Sequence, residues 1–243
     1  MRRRARIGAE RMTPRTYSAA MRWLKRRSAH DAGLPVLPPA PVSRTFGFER
    51  GRPIDRWYIE RFLSSHSGDV RGRVLEVAES TYTNWYGGDR VETSDVLYAT
   101  EGHAEATIVG DLTTGAGIPE AAFDCFICTQ TLPFIYDVRA ATAGTRALLA
   151  PGGVLLATVP GISQISREDM RDWGDWWRFT ARSAQRLFAD VYGEDHVEVT
   201  QHGNVRAAAA FLYGLAAEDL DATALEAVDP DFHLLITIRA QRV

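Results

Sequence analysis

Cysteine is scarce in this chain: only Cys125 and Cys128 occur among 243 residues. Both lie in one apolar run and lack the partners of a zinc site, so neither a disulfide framework nor a structural metal is expected. They read as small core residues of a reducing compartment. Long hydrophobic runs are absent too. None reaches the ~20 residues a membrane helix needs, and no membrane partner is expected. The net charge is only −3, which predicts no nucleic-acid or other polyanionic partner. Histidines are few and scattered, and no cluster of metal-ligating residues appears. The start, MRRRARIGAERM, is basic but has no apolar stretch behind it. It is therefore not read as a secretory signal, and the expected location is cytoplasmic. There are no internal repeats.

What is present fits one soluble domain with an appendage. Residues 1–30 are basic, and Thr16 opens a possible short helix through Arg27. Leu34–Val42 reads LPVLPPAPV, whose prolines favour an extended spacer. Residues 1–42 are thus expected to form a basic, proline-rich extension, dispensable for folding, and residues 43–243 the folded domain. Gly51–Leu63 predicts a helix with Pro53 in its first turn. Strands are expected at Val74–Val77, Val91–Leu97, Ala106–Val109, Phe123–Thr129, Val154–Val159, Val197–Thr200 and Leu234–Ile238. Between them, Val138–Leu149 predicts a helix stopped by Ala150-Pro151-Gly152-Gly153. Thr180 is an N-cap for a helix through Phe188, and an alanine-rich helix spans about Arg206–Leu220.

Near-continuous apolar strands alternating with helices imply an α/β fold: a Rossmann-like, mostly parallel, seven-stranded sheet with helices on both faces. Ligands in such sheets bind beyond the carboxyl ends of the strands. That rule selects Ala78–Tyr82, Asp95, Asp111 and Thr129–Thr131.

The first of these places, RVLEVAESTY, is glycine-poor. A buried strand ends in Glu76 and then turns, as before many nucleotide pockets, but Ala78, Ser80 and Tyr82 stand where spaced glycines are usual. Ala78 is a mild change and Ser80 offers a hydroxyl. Tyr82 is the severe departure, because a bulky residue resists positive φ. The link from Ala78 to Arg90 is also too short for a full crossover helix, so a reduced first helix is expected after strand one. Tyr82 or Trp85 would then cover the ligand.

In their order these residues resemble class I S-adenosylmethionine (SAM)-dependent methyltransferases: Glu76, then Asp95 about twenty positions on, Gly110-Asp111-Leu112, Ile118-Pro119 with Ala122-Phe123-Asp124, and Leu149-Ala150-Pro151-Gly152-Gly153. The phrases RPIDRWYIERFL and ATVPGISQISREDM are similar to small bacterial methyltransferases encoded beside glycosyltransferase and natural-product genes. The resemblance implies SAM as cofactor, no metal, and methyl transfer to a small hydroxylated acceptor, a sugar or glycosylated metabolite. It implies cofactor contacts from Glu76, Ala78, Ser80, Tyr82, Asp111, Leu112, Thr129 and Gln130, with Asp95 on the ribose hydroxyls and Tyr58 reaching over from the early helix. Each has a packing or capping alternative.

The acceptor side falls to the segment after strand five. Gln164, Trp173, Trp176, Trp177 and Arg178 offer rings for stacking and polar groups for hydroxyls. Removing a proton from an ordinary hydroxyl needs a base, and Asp169, Asp172 and His202 are the candidates. Two other functions remain open on the same residues: a non-methylating SAM-fold enzyme (a cyclase, or cleavage of another carbon–sulfur bond), and a non-catalytic binding protein whose pocket has closed.

Overall fold

The structure, a computed structural model, describes residues 38–243. Pro41–Val243 forms one compact unit. The expected helix at Thr16–Arg27, the basic arm and most of the proline-rich spacer lie outside the described residues.

Seven strands form one sheet: β1 Gly72–Val77, β2 Val91–Tyr98, β3 Ile108–Val109, β4 Phe123–Thr129, β5 Leu149–Pro160, β6 Val197–His202 and β7 Leu235–Gln241. Their order is β3-β2-β1-β4-β5-β7-β6. β3, β2, β1, β4 and β5 are mutually parallel, and β7 runs antiparallel to both β5 and β6. The strand order reverses at β1/β4, so a crevice opens at their carboxyl ends. The helices are α1 Ile54–Ser65, α2 Thr81–Tyr86, α3 Val138–Leu148, α4 Arg167–Asp172, α5 Ala181–Tyr192, α6 Val205–Leu212 and α7 Ala222–Glu226.

The sequence of β4 explains the layering. Its residues alternate between two hydrophobic clusters: Cys125 and Ile127 pack with α1 and α6, while Phe126 and Cys128 pack with α3 and α5. With both faces covered, the strand reads as an unbroken apolar run. Both cysteines are fully buried and free.

The expected first crossover helix is reduced to the six residues of α2. Several boundaries shift from expectation, and two of the shifts have a clear cause. Ala150-Pro151-Gly152-Gly153 was expected to form a turn, yet it lies inside β5. Gly152 donates to the Arg242 carbonyl at 2.7 Å, and Arg242 returns a bond to Gly153 at 2.9 Å. The end of the chain thus pairs with the segment, and Pro151 stands near the start of the strand, where proline is tolerated. The alanine-rich helix stops early, at Leu212. Gly214 follows with φ +72°, packed so closely on Ser43 that a Cβ would sit 2.5 Å from the serine's own. Tertiary contact there overrides alanine's helix propensity.

Candidate functional site

A cavity of about 800 Å³ opens where the parallel strands end. Its floor is built by the residues following β1, β2, β3 and β4, and its rim by the segment before α1 and the loop after β5. The rim is stitched by Gln164, which donates through Nε2 to the Arg44 carbonyl at 2.9 Å. This volume lies within the usual range for small-molecule sites, so the pocket is open rather than filled by its own loop.

The glycine-poor turn resolves differently from expectation. The strain falls on Ala78, which holds φ +71° while its amide donates to Leu97 at 3.0 Å. Alanine there keeps the left-handed backbone that glycine adopts freely, at a cost of roughly 1–2 kcal/mol. Tyr82 escapes the problem because it sits within α2, outside the positive-φ positions. It is buried and lines the cavity, whereas Trp85 is exposed and does not. Ser80 precedes α2 and does not line the cavity; its hydroxyl accepts from the Asn84 amide at 3.3 Å.

Glu76 is 2 % exposed. Its Oε2 accepts from the Thr83 amide at 2.7 Å and the Thr83 hydroxyl at 2.8 Å, and its Oε1 accepts from the Tyr82 amide at 3.1 Å. Burial raises its pKa, and the bonds from Thr83 and Tyr82 pull the other way. The carboxylate therefore satisfies free amides of the first turn of α2. Oε2 is fully engaged, while Oε1 keeps one acceptor position.

At the other strand ends, Asp111 and Leu112 line the cavity after β3. The Asp111 carboxylate is held by the Thr113 amide and hydroxyl at 2.7 Å, and the hydrogen bond from the Thr113 side chain lowers its pKa first of all. Thr129 and Gln130 line it after β4. Gln130 has φ +50°, and its amide donates to Thr158 at 3.0 Å. With Phe46 at φ +59° on the rim, three non-glycine residues in the left-handed region thus border one cavity, a concentration of backbone strain typical of ligand sites.

Asp95 requires a correction. It lies inside β2, paired across from Leu75, and does not reach the cavity. Its carboxylate takes Arg73 Nε at 2.8 Å and the Thr107 hydroxyl at 2.8 Å. The residues that β2 presents to the cavity are Leu97, Tyr98 and Ala99. Tyr58 is corrected likewise. It turns to the opposite side of α1 and donates to the Leu225 carbonyl at 2.7 Å, with burial raising its pKa to about 12. The α1 residues that reach the cavity are Asp55 and Arg56.

Arg56 donates to the Tyr82 hydroxyl at 2.9 Å, and among the described residues its guanidinium has no other hydrogen-bond partner. Asp55 Oδ1 accepts the Arg56 amide at 2.8 Å, and Oδ2 has no partner among the described residues. Burial raises the Asp55 pKa, with neighbouring Arg56 opposing. These two residues were missed from sequence. The available signal was an adjacent acid–base pair two positions after Pro53, on the face away from the apolar stripe.

On the acceptor side, Gln164, Asp169, Trp173 and Arg178 line the cavity. Trp173 meets Tyr98 edge-on, with ring centres 6.1 Å apart. Arg178 is a brace: it binds Asp175 at 2.8 Å and the Gln164 carbonyl at 2.7 Å. Trp176 and Trp177 do not line the cavity. Instead they pack with exposed Tyr136, and Trp177 Nε1 donates to the Ile135 and Tyr136 carbonyls. Two candidate bases are corrected. Asp172 faces out, paired with Arg171 at 2.7 Å. His202 lies in a separate hollow with Tyr58, its Nε2 3.0 Å from the Thr237 hydroxyl. Of the three, only Asp169 borders the cavity. Among the described residues no group of side chains is arranged to hold a metal ion, and no helix is long and apolar enough to cross a membrane.

No protein-family model matches the chain, and no curated protein matches it. Solved structures do. Haemonchus contortus phosphoethanolamine N-methyltransferase 2, in complex with phosphomonomethylethanolamine and S-adenosylhomocysteine, aligns with a TM-score of 0.51 at 13% identity, over 76% of this chain and 52% of that one. The chain thus spans about half the length of that protein. The N-methyltransferase NodS from Bradyrhizobium japonicum, bound to S-adenosylhomocysteine, aligns at 0.49 and 14% identity over 83% and 93% of the two chains. The [4+2]-cyclase SpnF aligns at 0.49 and 14% identity over 90% and 92%. The Haemonchus alignment carries the conclusion that the fold is the Rossmann-like methyltransferase fold.

Proposed function

We propose that this protein is a SAM-dependent methyltransferase acting on a small hydroxylated acceptor, a sugar or glycosylated metabolite. The observation that carries the reading is the open cavity at the switch point of the sheet, bordered by two strained strand-end turns at Ala78 and Gln130. The residues present suit the cofactor. Ala78 adds only a methyl group to a backbone that still turns as glycine would, Asp111 stands at the edge after β3, and an open acid–base pair faces the cavity from α1.

SAM supplies a sulfonium whose methyl carbon is electrophilic. The protein's share is to hold the acceptor in line and to keep water out. Trp173 offers a ring face at the cavity wall, and Asp169 is the carboxylate placed to take the acceptor's proton. That base accepts a hydrogen bond from the Ser166 hydroxyl, which fixes its orientation. The test is incubation of the full chain with methyl-labelled SAM and a bacterial metabolite extract. The expected result is label in a small hydroxylated product together with S-adenosylhomocysteine. Consumption of SAM to other fragments, or label on nitrogen or carbon, overturns this reading of the reaction.

A further inference from the structure

Every amino-acid-bearing nucleoside presents two opposite charges, an ammonium and a carboxylate, that a site must meet. On the reading above, the acid at the end of β1 would be the ready partner for the ammonium. Here Glu76 is largely committed to α2: although it lines the cavity, three hydrogen bonds from Tyr82 and Thr83 leave it a single acceptor position, on Oε1. Glu79, in the turn after β1, also lines the cavity and accepts from the Thr81 hydroxyl at 2.8 Å; after β2 no carboxylate reaches the cavity, and the Asp111 carboxylate after β3 is taken up by its own threonines.

Beside Tyr82 and the turn after β1, unspent charge of both signs lies at the start of α1. Arg56 lines the cavity beside Tyr82, with one hydrogen bond among the five that a guanidinium can donate. Asp55 lines the same wall, with Oδ2 open. Tyr82, standing where a glycine is usual, gives this arrangement its purpose. Its hydroxyl fixes Arg56 from below, and its ring packs edge-on to Trp85 at 5.8 Å and near-parallel to Tyr86 at 6.2 Å, so the anchor is rigid. A held guanidinium with free N–H groups is suited to a carboxylate, and an open carboxylate oxygen beside it to an ammonium.

We propose that Asp55 and Arg56 together form the subsite for the zwitterionic amino-acid end of the nucleoside, Arg56 taking the carboxylate and Asp55 the ammonium, with Tyr82 as the positioning residue. Recognition of that end has thereby moved from the strand-end turn to the preceding helix. The glycine-poor turn is tolerated because it no longer has to wrap the amino acid. The inference rests on the nucleoside reading of the cavity and deepens it.

Calorimetric titration of the full chain tests it with three probes: S-adenosylhomocysteine, 5′-methylthioadenosine, which lacks the amino-acid end, and decarboxylated SAM, compared with SAM itself. In the unmodified protein, loss of the carboxylate should weaken binding about tenfold to hundredfold, the factor for a charged hydrogen-bonded pair. Arg56→Gln should weaken S-adenosylhomocysteine by a similar factor and leave methylthioadenosine within twofold. Asp55→Asn should show the same selectivity. Tyr82→Phe should reproduce part of the Arg56→Gln loss, again without affecting methylthioadenosine. Retained methylthioadenosine binding certifies that each variant is folded, and the decarboxylated probe needs no variant at all. Equal affinity for SAM and its decarboxylated form, or equal losses for both nucleosides in the variants, overturns the subsite. Failure of the unmodified protein to bind any of the four overturns the nucleoside reading itself, and the subsite with it.

Discussion

Glu76 and Thr83 are joined twice: the same carboxylate oxygen accepts the threonine amide at 2.7 Å and its hydroxyl at 2.8 Å, with 2 % of Glu76 and 1 % of Thr83 exposed. The end of β1 is thereby fastened to the first turn of a six-residue helix too short to be stable alone. Glu76→Gln presents one oxygen where two accepted, and leaves a buried amide or hydroxyl unpaired at about 1–3 kcal/mol. For a unit of this size the melting temperature should fall by roughly 2–10 °C. An unchanged melting curve would show that α2 is held by its rings rather than by the carboxylate.

Asp95 separates structure from ligand binding. Its partners are Arg73 and Thr107, and it does not border the cavity. Asp95→Ala should leave the dissociation constant for S-adenosylhomocysteine within twofold while lowering stability by about 1–3 kcal/mol, since it leaves the Arg73 contact and the Thr107 hydroxyl without their acceptor. A tenfold loss of nucleoside affinity in a variant that melts normally would restore Asp95 to the site.

Ala78→Gly relieves the left-handed strain at φ +71°. The gain is reduced by glycine's larger unfolded-state entropy. Because a side chain at this φ costs roughly 1–2 kcal/mol, a net rise of about 2–4 °C in melting temperature is expected. Ala78→Val should lower it and should also weaken nucleoside binding, because branching at Cβ crowds the turn. Calorimetry with and without ligand separates the two effects. A fall in stability for Ala78→Gly would contradict the strain.

His202 sets a pH dependence. Burial, with help from Arg61, lowers its pKa from 6.5 to about 4. Between those values the unfolded chain binds a proton that the folded chain refuses. The stability linked to this histidine is therefore complete above about pH 6.5 and is lost as pH falls toward 4, by on the order of 2–3 kcal/mol. Denaturant titrations across that range should show a shallower slope in His202→Gln than in the parent chain. Parallel slopes would mean that the imidazole is solvated in the folded state.

The strands could be read from sequence because each carries its own signal. Phe123–Thr129 has the same ends in both readings, since apolar residues on two faces admit no other register. The short helix after β1 was legible from chain length alone. What could not be read were contacts made across the fold. Asp95 sits at the sequence distance of a ribose ligand, but it lies three residues inside β2, which ends at Tyr98, and its carboxylate is held by Arg73 and the Thr107 hydroxyl. Tyr58 and Asp55 belong to one helix, and only the packing of α1 against α7 and β7 decides which side faces the cavity. Trp176 and Trp177 had the composition of a ring platform, but backbone carbonyls at Trp173, Ile135 and Tyr136 hold their indoles outside.

The two cysteines of β4 have a practical consequence. Both are 0 % exposed at the centre of the sheet, and burial pushes both thiols up, Cys128 to about 12. A maleimide or disulfide reagent needs a solvent-accessible thiolate, so neither sulfur reacts until the central strand leaves its neighbours. Covalent tagging under native conditions is then a clock. At saturating reagent its rate is the rate at which the whole sheet opens, and with weaker reagent it reports how much of the opened form exists. The chain carries its own reporter of kinetic stability, with no dye or engineered label required.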